Sequence, residues 1–234
     1  MLYHQYFSKV FFLLVIISFF GCNDSLFDNR ISEGVIEFKV TYPDLDPDNL
    51  LATIMPDVMS MKFKDNVFNS ELSAGMGMFK ANLIANSNAY TLTKAVKLGN
   101  NKYVSRLSKT ETQEYNESYD NVSVINLNET QEIAGLKCKK ALLIFENIDM
   151  DDIYVYYTDK IKFKDPNWST PFKDIDGVLL AYEVEQLGIK MKFVAYSISE
   201  QKIDESDLLI SEDYESISID KLDEEVELIF NDFN

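Results

Sequence analysis

The sequence predicts a mainly β protein, built as one antiparallel curved sheet or half-barrel with a short helix and an amphipathic C-terminal helix. Apolar and polar residues alternate with a period of two in one segment after another, which is typical of half-buried strands. No helical pattern of about twelve residues separates the strands, so the crossover helices of a parallel sheet are absent from the sequence. A long antiparallel meander curls, and we therefore expect a half-barrel.

The first 21 residues are predicted to be a lipoprotein signal peptide. Lys9 precedes an uncharged, almost wholly apolar run over 10–20, which is too short to cross a bilayer as a helix but fits the apolar core of a signal. The Gly21-Cys22 pair that follows is typical of bacterial lipoprotein signals, in which the cysteine is lipidated and becomes the new N-terminus. We expect Cys22 to carry the lipid, 22–30 to be a tether, and 31–234 to form a single domain.

The first part of this domain is predicted to contain two strands and a short helix. Alternation over 36–42 indicates the first strand, and the acidic turn at 44–49 interrupts it. Residues 49–55 are compatible with a short helix that Pro56 ends. Alternation resumes over 59–64 and predicts the second strand.

The middle of the domain is predicted to be a series of short strands joined by turns that contain glycine, asparagine or aspartate. Residues 178–186 and 190–199 flank Gly188 and predict a hairpin. The remaining strands are expected over 67–74, 76–85, 90–98, 102–108, 122–128, 131–133, 136–146 and 153–158.

The C-terminal segment predicts an amphipathic helix with an acidic face. Ile219, Leu222, Val226 and Ile229 recur at helical spacing. The last 31 residues contain 12 acidic side chains and one base, a net charge of −11. We interpret this charge as a solvated helix face.

The charge of the chain excludes some partners. It has 39 acidic and 22 basic side chains, and removal of 1–21 leaves 21 basic ones and a net charge near −18. Such a surface repels nucleic acid and anionic headgroups, so we expect no nucleic-acid partner. Attachment to a membrane would depend on acyl chains on Cys22.

The histidines and cysteines exclude the common catalytic sets. The one histidine, His4, lies in the predicted signal, so the mature chain would lack Ser-His-Asp and Cys-His systems and ordinary zinc sites. Cys138 has no partner once Cys22 is acylated. Lys137 and Lys139 could activate its thiol, but on a strand they face the opposite side, so we favour a buried Cys138.

No metal, cofactor or catalytic activity is predicted. Asp44, Asp46 and Asp48 resemble the start of a calcium loop, but Asn49 and Met55 stand where such loops have glycine and glutamate. A solvated acidic turn is the simpler interpretation. Phosphate-binding loops and nucleophile elbows are absent from the sequence, and 39 acidic residues make chance carboxylate pairs inevitable.

Apolar side chains are therefore the candidates for a binding site. Methionine adapts to irregular partners, and Gly75 and Gly77 could leave one strand face bare. A proline-bounded loop over 165–172 could hang over an opening. The alternative is that these residues are ordinary core and a loop anchor. The candidate ligand-binding residues are Met59, Met61, Met76, Met78, Trp168 and Phe172.

Three segments between 131 and 199 resemble a known family. They are EIAGLKCKKA at 132–141, YVYYTD at 154–159 and IDGVLLAYE at 175–183. Together they resemble the GLPGLI-type proteins and related small lipoproteins of Bacteroidota, although Tyr156 replaces the usual tryptophan.

This resemblance implies a LolA/LolB-like half-barrel with helices across its open face, in an outer-membrane lipoprotein on the periplasmic side or the cell surface. In LolA and LolB the cavity holds acyl chains. The expected function is non-catalytic binding of an apolar or lipid-like ligand. The alternative is a structural or interaction lipoprotein with a filled core and an envelope protein as its partner. The family supplies no catalytic residue.

Overall fold

A computed structural model describes residues 28–46, 48, 54–119, 121–146 and 151–232. The predicted signal peptide, Cys22 and most of the helix expected at 49–55 lie outside these residues. Among the helices that the structure does describe, none combines the length and the apolar character needed to cross a membrane.

In the described residues the fold is one large, curved, open sheet of twelve strands with two helices, and its mainly β, half-barrel-like class is as predicted. In space the strands follow the order β12-β6-β5-β4-β3-β2-β1-β11-β10-β9-β8-β7. The elements are β1 (Glu33–Thr41), β2 (Val58–Lys64), β3 (Val67–Ala74), β4 (Phe79–Asn86), β5 (Thr91–Leu98), β6 (Asn101–Leu107), α1 (Lys109–Tyr115), β7 (Val122–Ile133), β8 (Leu136–Phe145), β9 (Ile153–Thr158), β10 (Val178–Gln186), β11 (Ile189–Glu200), β12 (Glu215–Ser216) and α2 (Ile219–Asp232).

Two antiparallel meanders make up this sheet. Strands β1 to β6 follow one another in space, as do β7 to β11, and the pairing of β1 with β11 joins the two series. Among the described strands, only β12, paired with β6, runs parallel to its neighbour. Registers shift between Glu37 and Phe38, between Leu127 and Thr130, and between Leu179 and Ala181. Such bulges bend strands and increase their twist, which suits a curved sheet.

Most strand predictions are confirmed, and the differences have local causes. The predicted strands at 122–128 and 131–133 are one strand, β7, which continues across a bulge. The strand predicted from residue 76 begins at Phe79, because Gly75–Gly77 form a 3₁₀ turn in which Met76 has a positive φ of 55°. The prediction that Gly75 and Gly77 leave a strand face bare was therefore wrong.

Helix α1 was not predicted, although the sequence contains its start signal. Ser108 is the N-cap: its backbone N–H donates to Glu111 Oε2 at 2.8 Å, and the Glu111 N–H donates to Ser108 Oγ at 3.4 Å. This reciprocal capping box satisfies two helix-end donors. The predicted amphipathic C-terminal helix is confirmed as α2, which buries Leu222.

The core lies mainly on the concave face of the sheet. Phe38, Phe63 and Leu180 are almost fully buried there. Cys138 belongs to the same cluster and has no exposed surface, whereas Lys137 and Lys139 are exposed. Burial raises the pKa of the Cys138 thiol to about 11, so the sulfur behaves as an apolar side chain, as predicted.

Candidate functional site

The concave face holds a cavity of about 360 Å³ that is partly open to solvent. Its position follows from the period-two alternation, because Met59, Met61 and Phe63 of β2 all point to this face while Ser60 and Lys62, which lie between them, point outward. Further walls come from β1, β3–β5, β8–β11, both helices and the loop between β9 and β10.

Aromatic rings form one side of the cavity. Tyr182 stacks on Phe193 with centroids 4.9 Å apart, and it makes edge contacts with Phe38 at 6.0 Å and Phe172 at 5.8 Å. Burial raises the pKa of the Tyr182 phenol far above its ordinary value. The stacked rings fix a rigid wall, and the flexible methionines of β2 lie on the same concave face.

The loop over 165–172 is a further wall, and its neighbours fix its position. The Asn167 side chain donates to the carbonyls of Ile175 at 2.8 Å and Gly177 at 2.9 Å. A Cβ at Gly177 would lie 2.7 Å from the Thr158 carbonyl oxygen, so only glycine permits this close approach. Phe172 is thereby held in the cavity wall.

Two buried polar atoms in this loop have no hydrogen-bond partner among the described residues. They are Trp168 Nε1 and Ser169 Oγ. The Ser169 carbonyl, in contrast, accepts a bond of 3.0 Å from the Asn116 side chain just after α1. Unpaired buried groups cost free energy, so this wall carries unused hydrogen-bonding capacity.

A polar cluster interrupts the apolar lining, and we define it by Lys94, Tyr115 and Asp223. The Lys94 ammonium donates to Tyr115 Oη at 2.6 Å and to Asp223 Oδ1 at 2.9 Å. The Tyr115 hydroxyl donates to Asp223 Oδ2 at 2.8 Å. These bonds connect β5 with both helices, and all three residues line the cavity.

Burial dominates the electrostatics of this cluster. The Lys94 side chain is 12% exposed, and desolvation lowers its pKa although Asp223 opposes the shift. Desolvation is the largest cause of the raised pKa of Tyr115, and the negative charge of Asp223 raises it further. A titratable cluster of this kind, at the edge of an apolar cavity, is a candidate functional site.

The structure brings together three of the six predicted binding residues. Met59, Met61 and Phe172 line the cavity. Met76 and Met78 do not, since they are exposed in and just after the turn between β3 and β4. Trp168 packs edge-on against Tyr90, with centroids 5.4 Å apart, as a loop anchor.

The sequence prediction missed the polar cluster, although one signal for it exists. Lys94 lies between Leu92 and Val96 at an inward position of β5, so it interrupts the apolar face of a well-defined strand. A lysine on a buried face requires a partner. Asp223 lies 129 residues further along the chain, and no local pattern connects the two.

Within the described part of the chain, no group of three or more histidine, cysteine, aspartate or glutamate side chains could hold a metal ion. The predicted acidic turn lies near a cation, because Asp44 is 3.6 Å from Lys190 Nζ.

Comparison with known proteins identifies a fold but no family. No family profile and no curated protein matches the chain. Two structures of PNGF-II, in the P21 and C2 space groups, resemble it with TM-scores of 0.54 and 0.51 at 16% identity. The matches cover 83% and 86% of this chain but 33% and 32% of those chains. The chain thus spans about a third of their length, and the likeness concerns the fold alone.

Proposed function

We propose that the protein is an envelope lipoprotein whose half-barrel binds an apolar or lipid-like ligand without catalysis. The observation that carries this proposal is the cavity of about 360 Å³ on the concave face. Small-molecule sites are concave, mostly apolar and supplied with a few placed polar groups. The methionine and aromatic walls and the polar cluster fit that description.

An acyl chain suits such a lining. Each CH₂ group transferred from water into an apolar environment contributes about 0.8 kcal/mol. Affinity should therefore rise about fourfold per added CH₂ until the cavity is full, since 1.4 kcal/mol corresponds to a factor of ten. A chain-length series consequently measures whether the ligand enters a closed space or adsorbs to a surface.

The test is displacement of the neutral fluorophore N-phenyl-1-naphthylamine by methyl esters of increasing chain length. A protein comprising 23–234 retains every described strand and helix, and cooperative unfolding would verify its fold. Met61→Trp should fill the cavity and reduce uptake of the fluorophore, whereas Met78→Trp, on an exposed side chain, should leave uptake unchanged. No uptake, or equal uptake by the two variants, contradicts the proposal.

The membrane anchor is a separate part of the proposal. Cys22 follows a segment with the length and composition of a secretory signal. Labelling with palmitate in bacterial cells should be lost on Cys22→Ala and kept on Cys138→Ala. Labelling that persists without Cys22 would contradict the lipoprotein assignment and the outer-membrane location that depends on it.

A second candidate is an interaction lipoprotein, and one surface favours it. Ile125 of β7 and Tyr154 of β9 are both paired with Leu142 of β8, so they share the convex face, where both are about half exposed. Exposed apolar patches mark interaction sites. If this function is correct, crosslinking in cells should trap one dominant partner protein, and Ile125→Ser/Tyr154→Ser should abolish the crosslink.

A further inference from the structure

The polar cluster retains hydrogen-bonding capacity that the protein itself does not use. An ammonium group has three N–H donors. In the described part of the chain, Lys94 directs one to Tyr115 and one to Asp223, which leaves the third for another acceptor. A ligand in the cavity can reach this donor, since Lys94 is one of the residues that line it.

The charge of the cluster is already balanced. Lys94 forms an ion pair with Asp223, whose side chain is only 21% exposed. A ligand carboxylate would place a second negative charge beside Asp223, in an environment where unpaired charges are costly. An uncharged acceptor would use the free N–H without this penalty.

The neighbouring loop adds no donor that a ligand can reach. Ser169 Oγ and Trp168 Nε1 have no hydrogen-bond partner among the described residues, but both atoms are buried, and Trp168 does not line the cavity. The third N–H of Lys94 is therefore the donor that is available to a ligand at this end of the cavity.

We propose that the polar cluster receives the head of the ligand, and that this head is an uncharged hydrogen-bond acceptor, such as the carbonyl of an acyl ester. A free fatty acid is then the poorer ligand. The inference rests on the proposed function, because it requires the apolar chain of the same ligand to occupy the cavity.

The test compares three ligands with one chain length: methyl laurate, laurate and dodecane. Each displaces N-phenyl-1-naphthylamine from the protein comprising 23–234. We expect the ester to bind about tenfold more tightly than dodecane, as a hydrogen bond to a charged donor implies, and more tightly than laurate.

A variant with an apolar wall provides the decisive comparison. Lys94→Met/Tyr115→Phe/Asp223→Leu removes all three polar groups together, so that no charge or hydroxyl is left unpaired. It should still bind dodecane but lose the preference for the ester. The matched control is Lys62→Met/Asp207→Leu, which removes a 2.6 Å ion pair on the convex face and should keep the preference.

The outcomes separate the two proposals. If laurate binds more tightly than the ester, or if the triple variant keeps the preference for the ester, the head-group inference is wrong while the binding function stands. If neither the fluorophore nor any of the three ligands binds, both proposals fall.

Discussion

The two faces of strands β2 to β5 differ although the same strands form both. On the convex face Lys62 pairs with Asp207 at 2.6 Å and Lys80 with Glu71 at 2.9 Å, and these side chains are 34–38% exposed. On the concave face, Lys94 pairs with Asp223 beside apolar side chains of the cavity, and these two side chains are 12% and 21% exposed. The comparison shows that burial, and not pairing, distinguishes the lysines.

The distinction matters because pairing has a different energetic meaning on each face. An exposed pair contributes about 0–1 kcal/mol, since water solvates either charge when the other is removed. In a buried pair, the desolvation of the two charges offsets much of their Coulomb attraction. Removal of one partner leaves the other as an unpaired charge that water does not reach. A polar group on the concave face therefore requires its partners.

The largest expected effect contrasts two methionines. Met59 is 4% exposed in the cavity wall, whereas Met76 is fully exposed in the turn after β3. Met59→Ala should lower the free energy of unfolding by about 2–5 kcal/mol, because it removes buried apolar surface and enlarges the cavity. Met76→Ala should change it by less than about 0.5 kcal/mol. Urea denaturation measures both, and similar values would mean that the cavity wall does not contribute to stability.

The second prediction concerns the ion pairs. Lys94→Met leaves Asp223 without its cation, and should lower the free energy of unfolding by about 3 kcal/mol. Lys62→Met should lower it by at most about 1 kcal/mol. The apolar triple variant described above should recover most of the loss. If Lys94→Met alone is neutral, the cluster is more solvated than its geometry indicates.

The third prediction is a loss of stability in alkaline solution. Burial raises the pKa of Tyr42, Tyr115 and Tyr182 above the phenol value of about 10. Between the ordinary phenol pKa of the unfolded chain and the raised pKa of the folded chain, the folded chain holds protons that the unfolded chain has lost. The stability that these buried phenols contribute is therefore complete below pH about 10 and declines above it.

Lys94 has the opposite effect, because its pKa is lowered in the folded chain, so it makes the free energy of unfolding rise with pH. This rise ends near the ordinary lysine pKa of about 10.4. The last part of the rise in tyrosinate absorbance should therefore coincide with the loss of circular dichroism, above pH about 10. Full ionisation of all tyrosines in a folded chain would contradict this prediction.

Most of the fold could be predicted from the sequence because it depends on local patterns. The hairpin of β10 and β11 was predicted from two alternating runs around Gly188, and α2 from apolar residues at helical spacing. Helix α1 was missed because its seven residues are too short for a periodic pattern, although Ser108 and Glu111 provided a capping signal. The two-residue strand β12 has no alternation at all.

The candidate site was less predictable, since its members come from distant segments. Residue type alone suggested four methionines, but only Met59 and Met61 lie on strand positions that face inward. Met76 has the same chemistry and lies in a turn. Met76 is outside the sheet because β4 begins only at Phe79. The turn formed by the two glycines places the start of β4 three residues later than predicted.

By itself, the sequence determined the strand-rich fold class, the inward set of apolar residues on most strands, the acidic surface and the buried Cys138. Alternation decides these properties, because successive side chains on a strand point to opposite faces. Only the tertiary structure decided that β1 pairs with β11, that a cavity remains inside the curve, and that Lys94 meets Tyr115 and Asp223. These contacts join residues that are far apart in the chain. The distances between them are set by the curvature of the sheet and the docking of the helices, which no local sequence pattern specifies.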